Sequence, residues 1–461
     1  MGLSKRVAKR VGEVFLRANL GDPRLVERAV GLAEALAGSP EESLPKIWST
    51  PGTLLAGYRF LRNPRSNFTS LMEPVQQATR ERALGVRCAL VLHDTTDIVC
   101  PAAHPEEVGY LPTNEAGFFV HHAFGVDFDE KRPLGMLWSQ LWGRPKRSQG
   151  RNLSGSQLAQ LKERESDRWL EGVTEAALWA EGCAQVVHVM DREGDSFRLY
   201  EHLQRLGSDF VIRMRHDRRI DDGHVAEELA RAPVKIRRRV QLSTRRAQTA
   251  PRASYQGRAA REAELSVSAA VVELQPPRYL PDAEAVRVNV VMVLERDPPA
   301  DEKPVSWVIA TSLPVGTEAE IECVVDIYRC RWLIEELHKA LKTGCMFEKR
   351  QLESFEAITT LLAICYPIAC ELLELRYRAR DATTPAHAVL RKSLLQCLRA
   401  HPNARPLPTK PVLQEALAVI AGLGGHIKGN GPPGWQTLAS GYVEILAFER
   451  GWLAAIAARN L

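Results

Sequence analysis

Residues 328–342 of this 461-residue chain read YRCRWLIEELHKALK, and the spacing of their charged side chains organises the rest of the sequence. At 100° per residue, a helix places Tyr328, Arg331, Glu335, Lys339 and Lys342 within about 80° of arc. The opposite side then carries side chains that can be buried, namely Cys330, Leu333, Leu337 and Leu341. The predicted helix therefore has an apolar back and a front on which one carboxylate is flanked by three cations and a phenol.

The charged front of this helix has two interpretations. A carboxylate among cations can hold a divalent metal while the cations bind phosphates on either side of it. The alternative is a solvated face with ion pairs four residues apart, such as Arg331–Glu335 and Glu335–Lys339. Spacing alone does not decide between the two, so the choice depends on whether other carboxylates of the chain converge on Glu335.

Two further carboxylates follow short apolar runs that have the composition of buried strands. Residues 88–92 lead into HDTT, which contains Asp94, and residues 186–190 lead into DREGD, which begins at Asp191. Sheets of α/β proteins place their sites at the C-terminal ends of strands. Either aspartate alone is also consistent with an ordinary turn or helix cap. We expect Asp195 and Ser196 to cap the helix that follows, predicted at residues 197–206, so that Asp195 has a structural role and Asp191 is free for chemistry.

Length and composition are those of an ordinary globular protein with two or three domains. The chain has 45% apolar and 25% charged residues and a formal net charge of +5. The N-terminus does not resemble a signal peptide, and the apolar run 357–370 is too short to span a bilayer. The nine cysteines are odd in number and lack zinc-finger spacing, which favours reduced thiols. We therefore expect a cytoplasmic protein with no membrane partner.

The predicted elements divide the chain into three regions. Residues 1–70 have the pattern of a helical, partly basic DNA-binding domain with Asp-Pro and Thr-Pro helix starts. Residues 71–369 form the expected catalytic core, and within it residues 210–314 form an insertion in which apolar residues alternate as in strands. Residues 370–461 form a helical C-terminal region. The predicted fold class is α/β, with a β-rich insertion and helical regions on both sides.

A long run of one charge sign lies within the insertion. Residues 231–261 contain ten Lys or Arg residues and no Asp or Glu. Solvated surfaces normally mix the two signs, so a run of this length favours a polyanionic partner. The competing interpretation is a disordered basic loop around residues 247–257, and the two are compatible.

The three carboxylates predict one site. Two strands and a helix can bring Asp94, Asp191 and Glu335 together at the end of a sheet, and such oxygen ligands suit Mg²⁺ or Mn²⁺. Two ions about 4 Å apart would activate a water or a 3′-hydroxyl and stabilise the leaving oxygen of an in-line displacement. With cations to bind a polyanion, the predicted reaction is phosphodiester cleavage or strand transfer on DNA.

The same residues resemble a known family, the bacterial DDE transposases of the IS-four type, and within it the Tn-five-like cut-and-paste enzymes. The strongest matches are HDTT at 93–96, MDREGD at 190–195, and the Tyr-two-Arg-three-Glu-six-Lys signature from Tyr328 to Lys342. Shorter matches extend the resemblance over nearly the whole chain, namely GDPR at 21–24, YRFLRNP at 58–64, LGG at 423–425 and GW at 434–435.

The resemblance implies a ribonuclease-H-like core in which Asp94, Asp191 and Glu335 are catalytic and bind two Mg²⁺ ions, for which Mn²⁺ can substitute. It also implies a set of DNA contacts. The residues expected to contact phosphates at the scissile end are Tyr328, Arg331, Lys339 and Lys342. Trp307 is expected to stack on a flipped base. The residues expected to contact other parts of the transposon end are Arg213, Arg28 and Arg59. For Trp307 the alternative of a buried strand aromatic stays open.

The resemblance further implies an enzyme, a DDE-type DNA transposase, whose partners are double-stranded DNA at the inverted repeats and at the target. Two protomers would pair through the C-terminal helices, each recognising one transposon end and cutting the other. The reaction would proceed by nicking, hairpin formation, hairpin opening and strand transfer. Two other functions stay open. One is a catalytically silent DNA-binding regulator of a related element, and the other is a ribonuclease-H-like nuclease without strand transfer.

Overall fold

Large numbers of buried apolar side chains on both strands and helices give a mixed α/β fold in which helices flank a large central sheet. The structure is a computed structural model. It describes residues 3–145, 155–242, 244, 248–250, 253–255, 257–300, 302–379, 383–427 and 433–459, with side chains described throughout except at 155–166, 248–250, 253–255 and 459.

The N-terminal region is helical, as its capping residues predict. Its helices are α1 Lys5–Val14, α2 Pro23–Gly38, α3 Leu44–Ile47, α4 Pro51–Leu61 and α5 Phe68–Ala83. The Asp22 carboxylate accepts a hydrogen bond from the Arg24 backbone N–H at 2.9 Å and begins α2. Thr50 and Thr53 form a capping box at the start of α4. The local sequence therefore determines where both helices begin.

The strands run through the middle of the chain. They are β1 Ala89–Val99, β2 Gly117–Asp127, β3 Pro133–Trp142, β4 Val186–Met190, β5 Asp209–Arg213, β6 Arg219–Ile220, β7 Gly223–His224, β8 Val234–Leu242, β9 Gln248–Ala250, β10 Ala253–Tyr255, β11 Arg261–Leu274, β12 Val286–Arg296 and β13 Ser306–Thr311. In the described part of the chain, nine of them form one sheet in the order β3-β2-β1-β4-β5-β13-β12-β11-β8.

The directions of the strands place the candidate site near the middle of this sheet. β1, β4 and β5 are parallel neighbours, and the other neighbouring pairs are antiparallel. The β-rich stretch predicted at residues 210–314 contributes β5, β13, β12, β11 and β8 to the same sheet. It extends the central sheet and does not form a large sheet of its own.

The remaining helices cover the sheet and form the C-terminal region. They are α6 Pro105–Val108, α7 Gly155–Trp179, α8 Phe197–Leu206, α9 Val225–Arg231, α10 Glu318–Cys330, α11 Trp332–Lys339, α12 Phe355–Arg378, α13 Lys392–Ala400, α14 Leu413–Leu423 and α15 Trp435–Arg459. The C-terminal region is helical, as the sequence predicts.

The apolar helix α12 is the centre of the main hydrophobic core. It extends well beyond the apolar run at 357–370, and by length and composition it could cross a membrane. However, 83% of its most apolar window is buried inside the protein. Its side chains share one core with apolar residues of the N-terminal helices, of β1 and β2 and of α11. This packing fixes α11 against the sheet.

Candidate active site

Asp94 and Asp191 follow the last paired residues of two parallel strands. The pairing of β1 with β4 ends with His93 opposite Met190, so the next residue of each strand is an aspartate. Asp191 ends β4, and its Oδ1 accepts a hydrogen bond from the Glu193 backbone N–H at 2.8 Å. β1 continues along β2 to Val99. The sequence prediction that Asp94 lies at the end of a strand is therefore wrong, because antiparallel pairing with β2 extends β1 beyond its apolar half.

The carboxylate of Asp94 is held in an unfavourable environment for a charge. Burial raises the pKa of Asp94 to about 7, and the negative charge of Asp191 contributes to that shift. The positive charge of Arg331 and a hydrogen bond from the Thr95 backbone N–H at 2.9 Å act in the opposite direction. Asp94 and Asp191 therefore lie close enough to repel each other, and a cation between them would relieve the repulsion.

Glu335 is linked to Asp94 by Arg331, which precedes Glu335 by about one helical turn. The Arg331 Nη2 atom donates a hydrogen bond to Glu335 Oε1 at 2.5 Å, and Arg331 Nη1 lies 3.9 Å from Asp94 Oδ2. The negative charge of Asp191 also raises the pKa of Arg331, although less than the hydrogen bond to Glu335 does. Arg331 therefore contacts two of the three predicted carboxylates, Asp94 and Glu335, and it lies close enough to the third, Asp191, to be influenced by its charge.

The chemistry of this donor set fits a hard divalent cation. Three carboxylates supply oxygen ligands of the kind that Mg²⁺ and Mn²⁺ prefer. Within the described residues, no three side chains are already arranged around a common point as metal ligands. The guanidinium of Arg331 lies between Asp94 and Glu335 in this state and binds both. Metal binding would therefore require Arg331 to move.

Tyr328, Trp307 and Arg213 form a second group beside the carboxylates. The rings of Trp307 and Tyr328 meet edge to face with centroids 5.2 Å apart, and the Arg213 guanidinium lies 6.0 Å from the Trp307 ring. Burial raises the pKa of Tyr328, and the nearby positive charges of Arg213 and Arg331 oppose that shift. Tyr328 is only 5% exposed, so it is packed below Trp307 and not on the open front of the helix as predicted.

The helix that carries the signature is interrupted, which changes the positions of two predicted cations. After α11 ends at Lys339, residues Ala340–Gly344 form a π-helical turn. The wider turn rotates Lys342 out of the predicted stripe. The Lys342 ammonium lies 3.0 Å from Asp97 Oδ1 and 3.5 Å from Glu348 Oε1. Sequence analysis did not identify Asp97 or Glu348 as part of this site.

Lys339 also has a different partner from the one that helical spacing predicts. Its ammonium binds Glu336 Oε1 at 2.9 Å and lies 4.8 Å from the centroid of the Trp332 ring. Glu336 in turn accepts a hydrogen bond from the Trp435 indole at 2.9 Å and pairs with Arg376. Of the two ion pairs that the alternative interpretation of a solvated face expects, Arg331–Glu335 is present, whereas Lys339 binds Glu336 and not Glu335.

Of the predicted capping pair, Ser196 begins α8, and Asp195 has a structural role of another kind. The residue at the N-cap of α8 is Ser196. Asp195 instead accepts hydrogen bonds from the backbone N–H groups of Arg215 and His216 at 2.7 and 2.9 Å and from the Tyr200 hydroxyl at 2.9 Å. It therefore ties the loop after β5 to α8, because that loop folds back over the end of β4.

Buried histidines lie directly behind the carboxylates. His122 faces Asp94 in the β1–β2 register, and its ring is hydrogen-bonded to His338 at 3.0 Å and to the Tyr366 hydroxyl at 2.8 Å. Burial lowers the pKa of His122 and of His338, which keeps both rings neutral. His121 and His122 are both completely buried. His338 gave no separate signal in the sequence.

The predicted DNA contacts of the N-terminal region lie on other elements. Arg28 is exposed on α2, and Arg59 is exposed on α4. Among the described residues, no hydrogen bond or ion pair joins either arginine to the carboxylate group. The structure therefore brings together Asp94, Asp191, Glu335, Arg331, Tyr328, Trp307 and Arg213, and it leaves Arg28 and Arg59 as a separate surface.

The cations of the basic run at residues 231–261 include exposed side chains and side chains that are paired with carboxylates. Lys235 and Arg237 are exposed on β8, which is the edge strand of the sheet. Arg239 pairs with Glu262 at 3.4 Å, and Arg261 pairs with the buried Glu295 and with Glu302. The arginines at 245, 246 and 252 lie outside the described residues. Some cations of the run are therefore structural, and the exposed ones on β8 stay available to a polyanion.

Two sequence families match the chain. Residues 11–66 match the family described as Transposase DNA-binding, and residues 173–369 match the family described as Transposase DDE domain. Arg28 and Arg59 lie in the first match, and Asp191 and Glu335 lie in the second. Among solved structures, the chain is similar to a piggyBac transposase synaptic complex with hairpin DNA, with 12% identity and a TM-score of 0.32. The likeness covers 66% of this chain and 50% of that chain, so this chain spans half of that protein's length.

Proposed function

We propose that this chain, a DDE-type DNA transposase by its DNA-binding and DDE domains, moves a DNA segment by a cut-and-paste reaction. The observation that supports this most directly is that Arg331 links Asp94 to Glu335 while Asp94 lies close enough to Asp191 for the two charges to repel each other. These are the three carboxylates that the signature of the IS-four type, Tn-five-like enzymes selects. The proposal includes a ribonuclease-H-like core built on β1, β4 and the helix α11.

The triad would hold two Mg²⁺ ions, for which Mn²⁺ can substitute. When bound, the ions supply activation of a water or 3′-hydroxyl and neutralisation of charge at the scissile phosphate. The surrounding cations Arg331, Lys339 and Lys342 would bind the neighbouring phosphates and hold the DNA in line. The electrostatic environment of Asp94 supports this role, because a carboxylate with a raised pKa gains from a nearby cation.

The aromatic group beside the triad is suited to an unpaired base. Trp307 is half-buried and is supported from below by Tyr328, with Arg213 close to its ring. A supported tryptophan can stack on a base that leaves the duplex, and each such contact is worth about 1–3 kcal/mol. We assign to Trp307 the flipped base of the hairpin step, and to Arg213 a phosphate near the same end.

The partners would be double-stranded DNA and a second copy of the chain. Arg28 and Arg59 would contact the inverted repeats. Pairing through the C-terminal helices is supported by exposed apolar side chains on α15, namely Trp452, Leu453 and Ile456 at 40%, 49% and 45% exposure. In the paired state, each protomer would recognise one end and cut the other. The place of action would be the cytoplasm, on nucleoid DNA.

The test uses a supercoiled plasmid that carries the inverted repeats flanking the coding region, together with Mg²⁺. The wild type is expected to nick, excise and join the segment. Asp94→Asn, Asp191→Asn and Glu335→Gln should each reduce cleavage at least about 1000-fold, since each removes a metal ligand, and should leave binding of the repeats intact. Asp326→Asn is the matched control, because Asp326 is an exposed carboxylate of α10 that pairs only with Arg329 among the described residues.

The same assay separates the two other functions. Binding of the repeats without any nicking by the wild type would favour a DNA-binding regulator. Release of ends that are never joined to a target would favour a nuclease without strand transfer. Full cleavage by any one of the triad variants would contradict the assignment of the metal ligands.

A further inference from the structure

Arg331 has two roles that it cannot fulfil at the same time. The proposed function, on which this inference rests, assigns its guanidinium to a DNA phosphate. In the structure the guanidinium binds Glu335 Oε1 at 2.5 Å and lies 3.9 Å from Asp94 Oδ2. The side chain is 15% exposed, so it is largely enclosed by its partners. In the free protein it occupies the space between two carboxylates of the triad.

We infer that Arg331 is a positioning residue whose guanidinium changes partners when DNA binds. In the free protein it holds Asp94 and Glu335 together. When DNA supplies a phosphate, the guanidinium binds that phosphate and leaves the two carboxylates free to bind metal. Without DNA, a dication must compete with the guanidinium for the same oxygens. With DNA, the guanidinium has an alternative anionic partner. Metal binding and DNA binding then favour each other through the movement of one side chain, and the coupling is reciprocal.

The charges around Arg331 support this exchange. Burial lowers the pKa of Arg213, and the positive charge of Arg331 contributes to that shift, so a phosphate beside the two guanidinium groups would relieve their repulsion. Arg331 also stands at the junction of α10 and α11, where its backbone N–H is already bonded to the Tyr328 carbonyl at 3.0 Å. Rotation of its side chain therefore requires no change in the helices.

The other two cations of the signature have partners outside the triad. Lys339 binds Glu336, and Lys342 binds Asp97 and Glu348. Either lysine can move to a phosphate without uncovering a metal ligand. Arg331 is therefore the cation of the signature whose departure frees Asp94 and Glu335. Arg329, which is exposed on α10 and pairs with Asp326, provides a control of equal charge outside the site.

The test measures Mn²⁺ binding by calorimetry and by the paramagnetic resonance of free Mn²⁺, first without DNA. Arg331→Gln is expected to bind Mn²⁺ about tenfold more tightly than the wild type, because a competing positive charge has left the triad. Arg331→Lys should lie near the wild type, since it keeps the charge. Arg329→Gln removes one positive charge from the neighbouring turn of α10 and should leave the Mn²⁺ affinity unchanged. Circular dichroism and melting temperature verify that each variant is folded.

A duplex that carries the flanking inverted repeat is then added. The wild type should gain about tenfold in Mn²⁺ affinity, and Arg331→Gln should gain little, because its triad is already free. Equal or weaker Mn²⁺ binding by Arg331→Gln without DNA would overturn the inference and leave the proposed function standing. Unchanged Mn²⁺ binding by Glu335→Gln, or no binding by the wild type even with DNA, would overturn the proposed function as well.

Discussion

Asp94 shows how a catalytic carboxylate reduces the stability of the protein that carries it. Its pKa rises from 3.8 to about 7 because the side chain is buried and Asp191 is close. Between these two pH values the unfolded chain is ionised at this position, while the folded protein keeps the proton. Raising the pH through this window therefore destabilises the folded state, and above about pH 7 the full cost is present.

The first prediction follows from this loss of stability with rising pH. In metal-free protein at pH 8, Asp94→Asn should be more stable than the wild type by about 2 kcal/mol, because the substitution removes a charge that the site disfavours. The difference should be smaller at pH 5 and should disappear only below about pH 4, where the carboxyl is protonated in the unfolded chain as well. Chemical denaturation of both proteins at these pH values gives the measurement. A variant that is less stable than the wild type at pH 8 would contradict this account of the site.

At the residue scale, sequence motifs selected the reacting groups but not all of their partners. Asp94, Asp191 and Glu335 were predicted as the reacting groups because their flanking residues form motifs, and the Arg331–Glu335 pair follows from helical spacing. The pairing of Lys342 with Asp97 was not predictable. This pairing depends on the π-helical turn after α11 and on the continuation of β1 beyond its apolar half. No pattern in the neighbouring sequence predicts either feature.

At the scale of elements, the sequence predicted the types of the strands and helices well and their junctions less well. Alternating apolar residues located β8, β11, β12 and β13, because edge and outer strands have one buried and one exposed face. The signature was predicted as one helix, and the structure divides it into α10, α11 and a π turn. Tertiary packing of α11 against α12 and the sheet determines where the predicted helix is interrupted, because such packing can override local helix propensity.

The exposed cations of β8 lead to a prediction at this scale. Changing Lys235 and Arg237 to Gln should weaken binding to any DNA, and the slope of log affinity against log salt should flatten by about 0.9 for each lost phosphate contact. The measurement is a titration of a duplex at several salt concentrations. An unchanged slope would show that this edge of the sheet faces solvent in the complex.

Arg261 is the matched control, because it belongs to the same basic run but has a structural role. Its guanidinium pairs with Glu295, which is 4% exposed, and with Glu302. Arg261→Gln should keep the salt slope of the wild type and lower the melting temperature, since it leaves a buried carboxylate without its partner.

At the scale of the whole molecule, one sheet and one helix hold the site together. β1 and β4 supply two carboxylates, α11 supplies the third, and α12 fixes α11 in a core shared with the N-terminal helices. The order of the strands was not predictable, because the pairing of β5 with β13 joins residues about 100 positions apart in the sequence. The N-terminal surface with Arg28 and Arg59 would reach DNA beyond the site in the paired state.

The most direct measurement is a crystal structure of the protein with Mn²⁺ and an uncleaved duplex carrying the inverted repeat, with anomalous scattering recorded at the manganese edge. The account predicts two manganese sites about 4 Å apart, held by oxygens of Asp94, Asp191 and Glu335, with Arg331 on a phosphate. A DNA end in place beside a triad that holds no manganese, with Arg331 still bound to Asp94 and Glu335, would contradict it.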